Sequence, residues 1–327
     1  MPIVDFHNHV YPPQYVEELR RGPSAYKVTE DEAGNPVLHS PGDYNILVPG
    51  HRLIDVRLQV IDDAGIDTQI ISFTAPGTLI ETPERSANLS SKINDQFADI
   101  QQEYPKRFPA LATLPLNNPE ACAPELQRAI DSLGLKGACV YSNANGIALS
   151  DSQFWPMYEV ANDRNMVFFI HPTFPLGVEA MEEYMLMPAV GFLMDTTLAA
   201  ANLLFSGVVS RFPNIRWVLG HLGGAVPYLA ERFDRCYEAF PQCRANLETH
   251  PTTYLKNQFY YDTVNFDVDA LNFAVRFAGV ERILAGSDYP HQIGSIPKMI
   301  ESINSMDLSE DSCAAILGGN AIRLLGL

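Results

Sequence analysis

Near the start of the sequence, Asp5-Phe6-His7-Asn8-His9 stands at the end of a short apolar run. Side chains two apart on a strand share a face, so His7 and His9 can offer two imidazoles to one metal ion. His171, His221 and Asp288 end three later apolar runs. The other histidines, His39, His51, His250 and His291, fall in stretches read as loops, His291 only three residues past Asp288 and so placed with the substrate. Strand-end placement therefore selects four of the eight histidines and one carboxylate. Imidazole nitrogens with a carboxylate suit Zn2+ or another first-row divalent ion, and an open coordination position makes such a site catalytic. Three His and one Asp suffice as ligands, which leaves one His for proton transfer.

These residues need strands to aim them. Eight apolar runs rich in β-branched or aromatic residues alternate with stretches of helical spacing: 3–8, 68–73, 109–114, 136–141, 166–171, 216–221, 258–263 and 283–288. Continuous apolar strands imply burial on both faces, and eight of them in 327 residues predict an α/β fold, a (β/α)8 TIM barrel whose strand ends carry the site. No GxGxxG follows the first run, which argues against a dinucleotide-binding sheet. Helices are expected over 86–104, 119–132, 151–164, 188–212, 226–240 and 267–278, with helix entries at Asn118-Pro119 and Ser150-Asp151. The proline-rich segment 10–50 reads as an insertion after strand one, over the barrel mouth, with a hairpin at 28–38 turning on Gly34-Asn35. The loops 10–50 and 173–187 otherwise read as irregular. No repeat or linker divides 1–327, so one domain is expected.

Composition narrows the function classes. Lys and Arg number 22 against 39 Asp and Glu, a net charge of -17, so neither nucleic acid nor an anionic membrane is an expected partner. No unbroken apolar run approaches 18 residues and the start lacks a basic, then apolar, leader, which points to a soluble cytoplasmic protein. Five cysteines without a CxxC pair are expected to be reduced and mostly buried.

Smaller assignments follow from position. Phe73 and Tyr289, at the ends of runs two and eight, are placed to stack on a planar substrate. Asp5 could orient a ligand histidine, although its side chain shares the face of His7 and His9. Gly223-Gly224 lacks the context of a phosphate cradle and fits a close loop approach to the metal.

DFHNH at the start, FFIHPT around His171, VLGHLGG around His221 and LAGSDYP around Asp288 together resemble the amidohydrolase superfamily, in its branch similar to 2-amino-3-carboxymuconate-6-semialdehyde decarboxylase. ISFTAPG, DSQFWPMYE, DTTLAAANLLFSG and FPNIRWVLGHLGGAVPYLAERF extend the likeness toward aromatic-acid decarboxylases of the 6-methylsalicylate type. The resemblance implies His7, His9, His171 and Asp288 as ligands of one divalent metal, Zn2+ or else Mn2+, with His221 as acid/base. It also implies that Arg232, eleven residues after His221, binds a substrate carboxylate across a homodimer interface. A second arginine of that decarboxylase, in the loop after strand one, has no clear match, since Arg52 is only nearby and Arg57 reads as helical. The carboxylated lysine of binuclear relatives is also missing, because Lys136 begins run four and Tyr141 ends it, which favours one metal.

The expected chemistry is non-oxidative decarboxylation of a small carboxylated aromatic or enol acid, with His221 or Asp288 protonating the carbon. The same residues would serve a lactone or amide hydrolase, with His221 as base. A non-catalytic barrel would be expected to lack ligands, and none is missing.

Overall fold

A computed structural model describes residues 2–40 and 43–327. Residues 41 and 42 of the expected insertion lie outside the described residues. All eight apolar runs form strands: β1 Val4–His9, β2 Thr68–Ser72, β3 Ala112–Thr113, β4 Ala138–Tyr141, β5 Val167–His171, β6 Arg216–Leu219, β7 Phe259–Asp262 and β8 Ile283–Leu284. β1 pairs with β2, and β3 to β8 pair in chain order, all in parallel. Two single bridges close the ring. Ile71 pairs with Ala110 between β2 and β3, and Asn8 pairs with Tyr289 after β8. The result is the expected (β/α)8 barrel.

Side chains from nearly every strand fill the barrel below its mouth, including Val4, Phe6, Ile70, Leu111, Phe169 and Val218. Phe6 and His7 are consecutive yet both contact Phe169, at ring-centroid distances of 5.6 and 4.8 Å. The β1–β2 register shifts between Asp5 and Asn8, and such a bulge breaks the two-residue period. Phe6 can thus plug the barrel while His7 and His9 occupy the mouth. Regular alternation would have placed Asp5 with the histidines; instead its carboxylate accepts hydrogen bonds from Ser287 and Gln69 and orients neither histidine.

The labelled helices are α1 Pro13–Arg21, α2 Pro49–Arg52, α3 Ile54–Asp63, α4 Pro83–Glu103, α5 Pro119–Asp131, α6 Trp155–Asp163, α7 Phe192–Phe205, α8 Val208–Arg211 and α9 Val226–Ala239, with a later helix at Val268–Ala278. The single helix expected over 188–212 is interrupted at Gly207, whose φ of 82° is left-handed. A π-helical turn, Met187–Gly191, precedes α7. Asp151 caps a 3-10 turn ahead of α6, while the Asn118 side chain reaches Pro83 O and caps nothing.

The segment after β1 is more ordered than its prolines suggested. It holds α1, α2 and a three-stranded antiparallel sheet, Lys27–Glu30, Pro36–Ser40 and Asp43–Ile46. Its first hairpin turns at Gly34-Asn35 as expected, because the Asp31 carboxylate accepts the Ala33 and Asn35 amides and Gly34 takes a φ of 78°. Cys122 and Cys139 are buried, but Cys236, Cys243 and Cys313 are only half-buried, and all five are free. Met187–Phe205 is long and apolar enough, by length and composition, to cross a membrane, with 44% of the window buried in the protein. Its buried positions include Asp195, Thr196 and Thr197 on the barrel side.

Candidate metal centre

His7 and His9 at the end of β1, His171 at the end of β5, and Asp288 after β8 converge at the barrel mouth, with one ligand atom from each lying within 4.8 Å of the others. His7 Nε2 is 3.0 Å from His9 Nε2, and Asp288 Oδ1 is 3.3 and 3.2 Å from these two nitrogens. All four residues are buried.

The outer nitrogen of each histidine is already engaged. His7 Nδ1 donates to the Asp262 carboxylate, and His171 Nδ1 donates to Pro172 O at 2.8 Å. Ser72 Oγ lies 3.1 Å from His9 Nδ1 and its own hydrogen goes to Asn8 O, so it accepts from the imidazole. Three Nδ1–H tautomers therefore turn three Nε2 lone pairs inward, a donor set that fits one divalent ion. Burial holds His9 and His171 well below the usual imidazole range. Burial also opposes a charge on His7, but Asp262 and Asp288 overcome it and raise its pKa to about 10. A cation at His7 Nε2 is thus electrostatically favoured.

Asp262, at the end of β7, was missed at the level of sequence. The strand-end rule that picked His171 and His221 applies to it equally. Besides His7, its carboxylate accepts the amides of His221 and Leu222 at 3.0 and 2.8 Å. Those two residues have φ of 54° and 56°, and Asp288 has 57°. Left-handed backbone costs a non-glycine residue about 1–2 kcal/mol. Asp262 offsets it for the first pair, and His7 O, which accepts the Asp288 amide at 2.7 Å, does so for the third. These turns aim His221 and Asp288 at the same space.

His221 stands beside the ligand set. Its Nε2 is 3.7 Å from Asp288 Oδ2, its ring is 5.0 Å from that of His7, and its buried Nδ1 has no partner. Although burial opposes ionisation of Asp288, contacts with His221, His7 and His9 hold its carboxyl well below the usual range. Gly223-Gly224 makes its close approach to α7 and not, as expected, to the metal centre: Gly224 has a φ of 60°, and a Cβ there would lie 2.1 Å from Leu193 O on α7.

A cavity of about 390 Å³ opens onto His171, His221 and Asp288. His291 lines it too. Phe73 is fully buried against Tyr11 and Tyr15, and Tyr289 packs under Arg57 and against Gly50, so neither is among the lining residues. Arg57 lies within α3 and bonds to Asn8, Gln69 and the His9 and Gly50 carbonyls, and Arg52 donates to Leu47 O. Both have positioning partners in place of a substrate. Arg232 is exposed on α9, forms no ion pair with Glu231 or Asp234, and does not line the cavity of its own chain.

The sequence model described as Amidohydrolase matches residues 4–327. The chain is 34% identical over 278 residues to 2-amino-3-carboxymuconate-6-semialdehyde decarboxylase of Dictyostelium discoideum, covering 84% of this chain and 76% of that one. Among solved structures it is similar to 5-carboxyvanillate decarboxylase LigW from Sphingomonas paucimobilis, with a TM-score of 0.87 and 25% identity over 100% of this chain and 99% of that one. It also resembles a dihydroxybenzoic acid decarboxylase from Polaromonas sp. JS666 with bound manganese and the inhibitor 2-nitroresorcinol, with a TM-score of 0.81 and 26% identity over 100% and 97% of the two chains.

Proposed function

The chain belongs to the amidohydrolase family, and from that premise we propose that it is a metal-dependent, non-oxidative decarboxylase of a small hydroxybenzoate-like or enol acid. The observation that carries this reading over a hydrolase is the likeness to a decarboxylase at 34% identity along 84% of the chain, while the His221 Nε2–Asp288 Oδ2 pair, 3.7 Å apart beside a complete His3Asp ligand set, supplies the chemistry it needs. His7, His9, His171 and Asp288 would hold one divalent ion, Zn2+ by its fit to three imidazoles and a carboxylate, with Mn2+ the alternative found in the Polaromonas neighbour. Bound there, the ion supplies an electrophile for the substrate's carboxylate oxygens. His221 and Asp288 carry the proton to the ring carbon that bears the carboxylate. The carbon–carboxylate bond then breaks, carbon dioxide leaves with no change of oxidation state, and the proton stays on the ring.

Residues 1–327 act as one domain in this reading, with 10–50 roofing the site. Five free cysteines suit a cytoplasmic location. A homodimer is supported by the outer surface of neighbouring helices. Val190, Met194 and Leu198, four apart, are exposed on and just before α7, while Tyr228 is 79% exposed one turn before Arg232 on α9. Phe205 and Phe233 pack these helices together at 5.8 Å. Arg232 thus borders an apolar face from which it could reach a partner's cavity.

The deciding experiment incubates protein loaded with Zn2+ or Mn2+ with a panel of hydroxybenzoates and measures released carbon dioxide, alongside lactone and amide substrates. Metal-dependent carbon dioxide release from at least one acid is expected. Lactone or amide hydrolysis without decarboxylation would give the site to a hydrolase.

A further inference from the structure

His51 has an unusual position for a residue read as part of a loop. It lies in α2 of the insertion, is 2% exposed, lines the cavity, and neither ring nitrogen has a hydrogen-bond partner. Buried polar groups in folded proteins are almost always paired, so two unpaired nitrogens on a residue that lines the cavity point to a ligand that pairs with them. The ring of His51 packs 5.1 Å from that of His291, and His291 packs 5.0 Å from ligand His9. The imidazoles form a row running from the metal centre into the cavity, with His51 two ring contacts away from it.

We propose that His51, backed by His291, is a specificity-determining anchor that hydrogen-bonds a ring hydroxyl of the substrate on the side away from the metal-bound carboxylate. The inference rests on the decarboxylase reading above and names the substrate feature that the site selects. A neutral imidazole offers one N–H and one lone pair, which matches a hydroxyl, itself both donor and acceptor. Burial, with His291 and Arg57 nearby, keeps His51 neutral. A second carboxylate is a poor match, because it needs two donors or a cation. Among the described residues of one chain the lining includes no Lys or Arg, its charged members apart from the histidines are the acidic Asp31 and Asp288, and the Arg232 that a partner subunit could lend is assigned to the carboxylate at the metal. The remaining lining is largely apolar, with Ile46, Val48, Ala75, Met185 and Phe192 suited to a flat ring. The preferred substrate is therefore a monocarboxylate with a distal hydroxyl.

The test measures binding to Zn2+-loaded protein by calorimetry for benzoate, 3- and 4-hydroxybenzoate, isophthalate and terephthalate. Two added hydrogen bonds predict that one hydroxybenzoate binds on the order of 10-fold tighter than benzoate, and both dicarboxylates weaker than benzoate. His51→Phe is expected to abolish the hydroxyl preference while keeping benzoate binding within about two-fold, and His51→Gln, which retains a donor and an acceptor, to keep part of it. A preference unchanged in His51→Phe overturns the proposal. So does a wild-type protein that binds benzoate at least as tightly as both hydroxybenzoates, a result that needs no variant to fold. Binding is read without turnover, so a hydroxyl preference in a protein that releases no carbon dioxide would defeat the decarboxylase reading and leave the anchor standing. Carbon dioxide release without any dependence on His51 would do the reverse.

Discussion

Asp262 shows how much a metal ligand depends on what stands behind it. Its carboxylate fixes the His7 tautomer and holds the His221, Leu222 and Val264 amides, so Asp262→Asn puts an amide where four donors need an acceptor. Loss of such a partner typically lowers metal affinity about 10- to 100-fold, and competition against a chromophoric chelator should show that drop with the helical signal unchanged. His7→Ala with His9→Ala should go further and abolish metal binding, as elemental analysis after metal supplementation would show. Unaltered affinity in Asp262→Asn would mean that the carboxylate serves the backbone turn alone. His221 is the complementary case. His221→Asn is expected to keep its metal and lose about 100- to 10,000-fold in turnover, the usual worth of a general acid. Metal lost in proportion to activity would instead make His221 a ligand.

The elements that matter most are the turns that follow β6 and β8, where the backbone leaves regular structure to present a side chain. Gly224 lets the turn after β6 press against α7, and its φ of 60° with a Leu193 carbonyl 2.1 Å from a built Cβ leaves no room for a methyl group. Gly224→Ala should destabilise the protein by about 2–4 kcal/mol, as left-handed strain and overpacking add. It should also reduce turnover more than metal content, because the displaced turn carries His221 and no ligand. Thermal unfolding together with metal analysis separates the two effects. A variant with wild-type melting would show that α7 yields easily.

For the molecule as a whole, the dimer reading rests on Arg232 completing the site of a second subunit. Arg232 is exposed beside an apolar helix face, and among the described residues its own cavity includes no arginine or lysine. If it acts across a two-fold interface, each site combines His221 of one subunit with Arg232 of the other. Mixing Arg232→Ala chains with His221→Asn chains should then restore partial activity, since one hybrid site has both residues. Verified heterodimers without recovery, or a fully active Arg232→Ala protein, would confine Arg232 to the surface.

The sequence by itself determined the barrel and most of its metal site, because both are written in local patterns. Eight apolar runs gave eight strands, and residues at the ends of parallel strands must share a rim whatever the loops do. That is why His7, His9, His171 and Asp288 could be picked out one strand at a time. The tertiary structure alone decided which side chains stand behind them. Asp262 rather than Asp5 supports His7, because the fold brings the end of β7 against His7 Nδ1 and turns the Asp5 carboxylate to Ser287 and Gln69. It decided too that Phe73 and Tyr289 stand outside the cavity lining, while His51, set in a stretch with no periodicity to mark it, lines the cavity with both nitrogens unpaired. Burial and hydrogen-bond partnership arise from contacts between segments distant in the chain, and no local period records them.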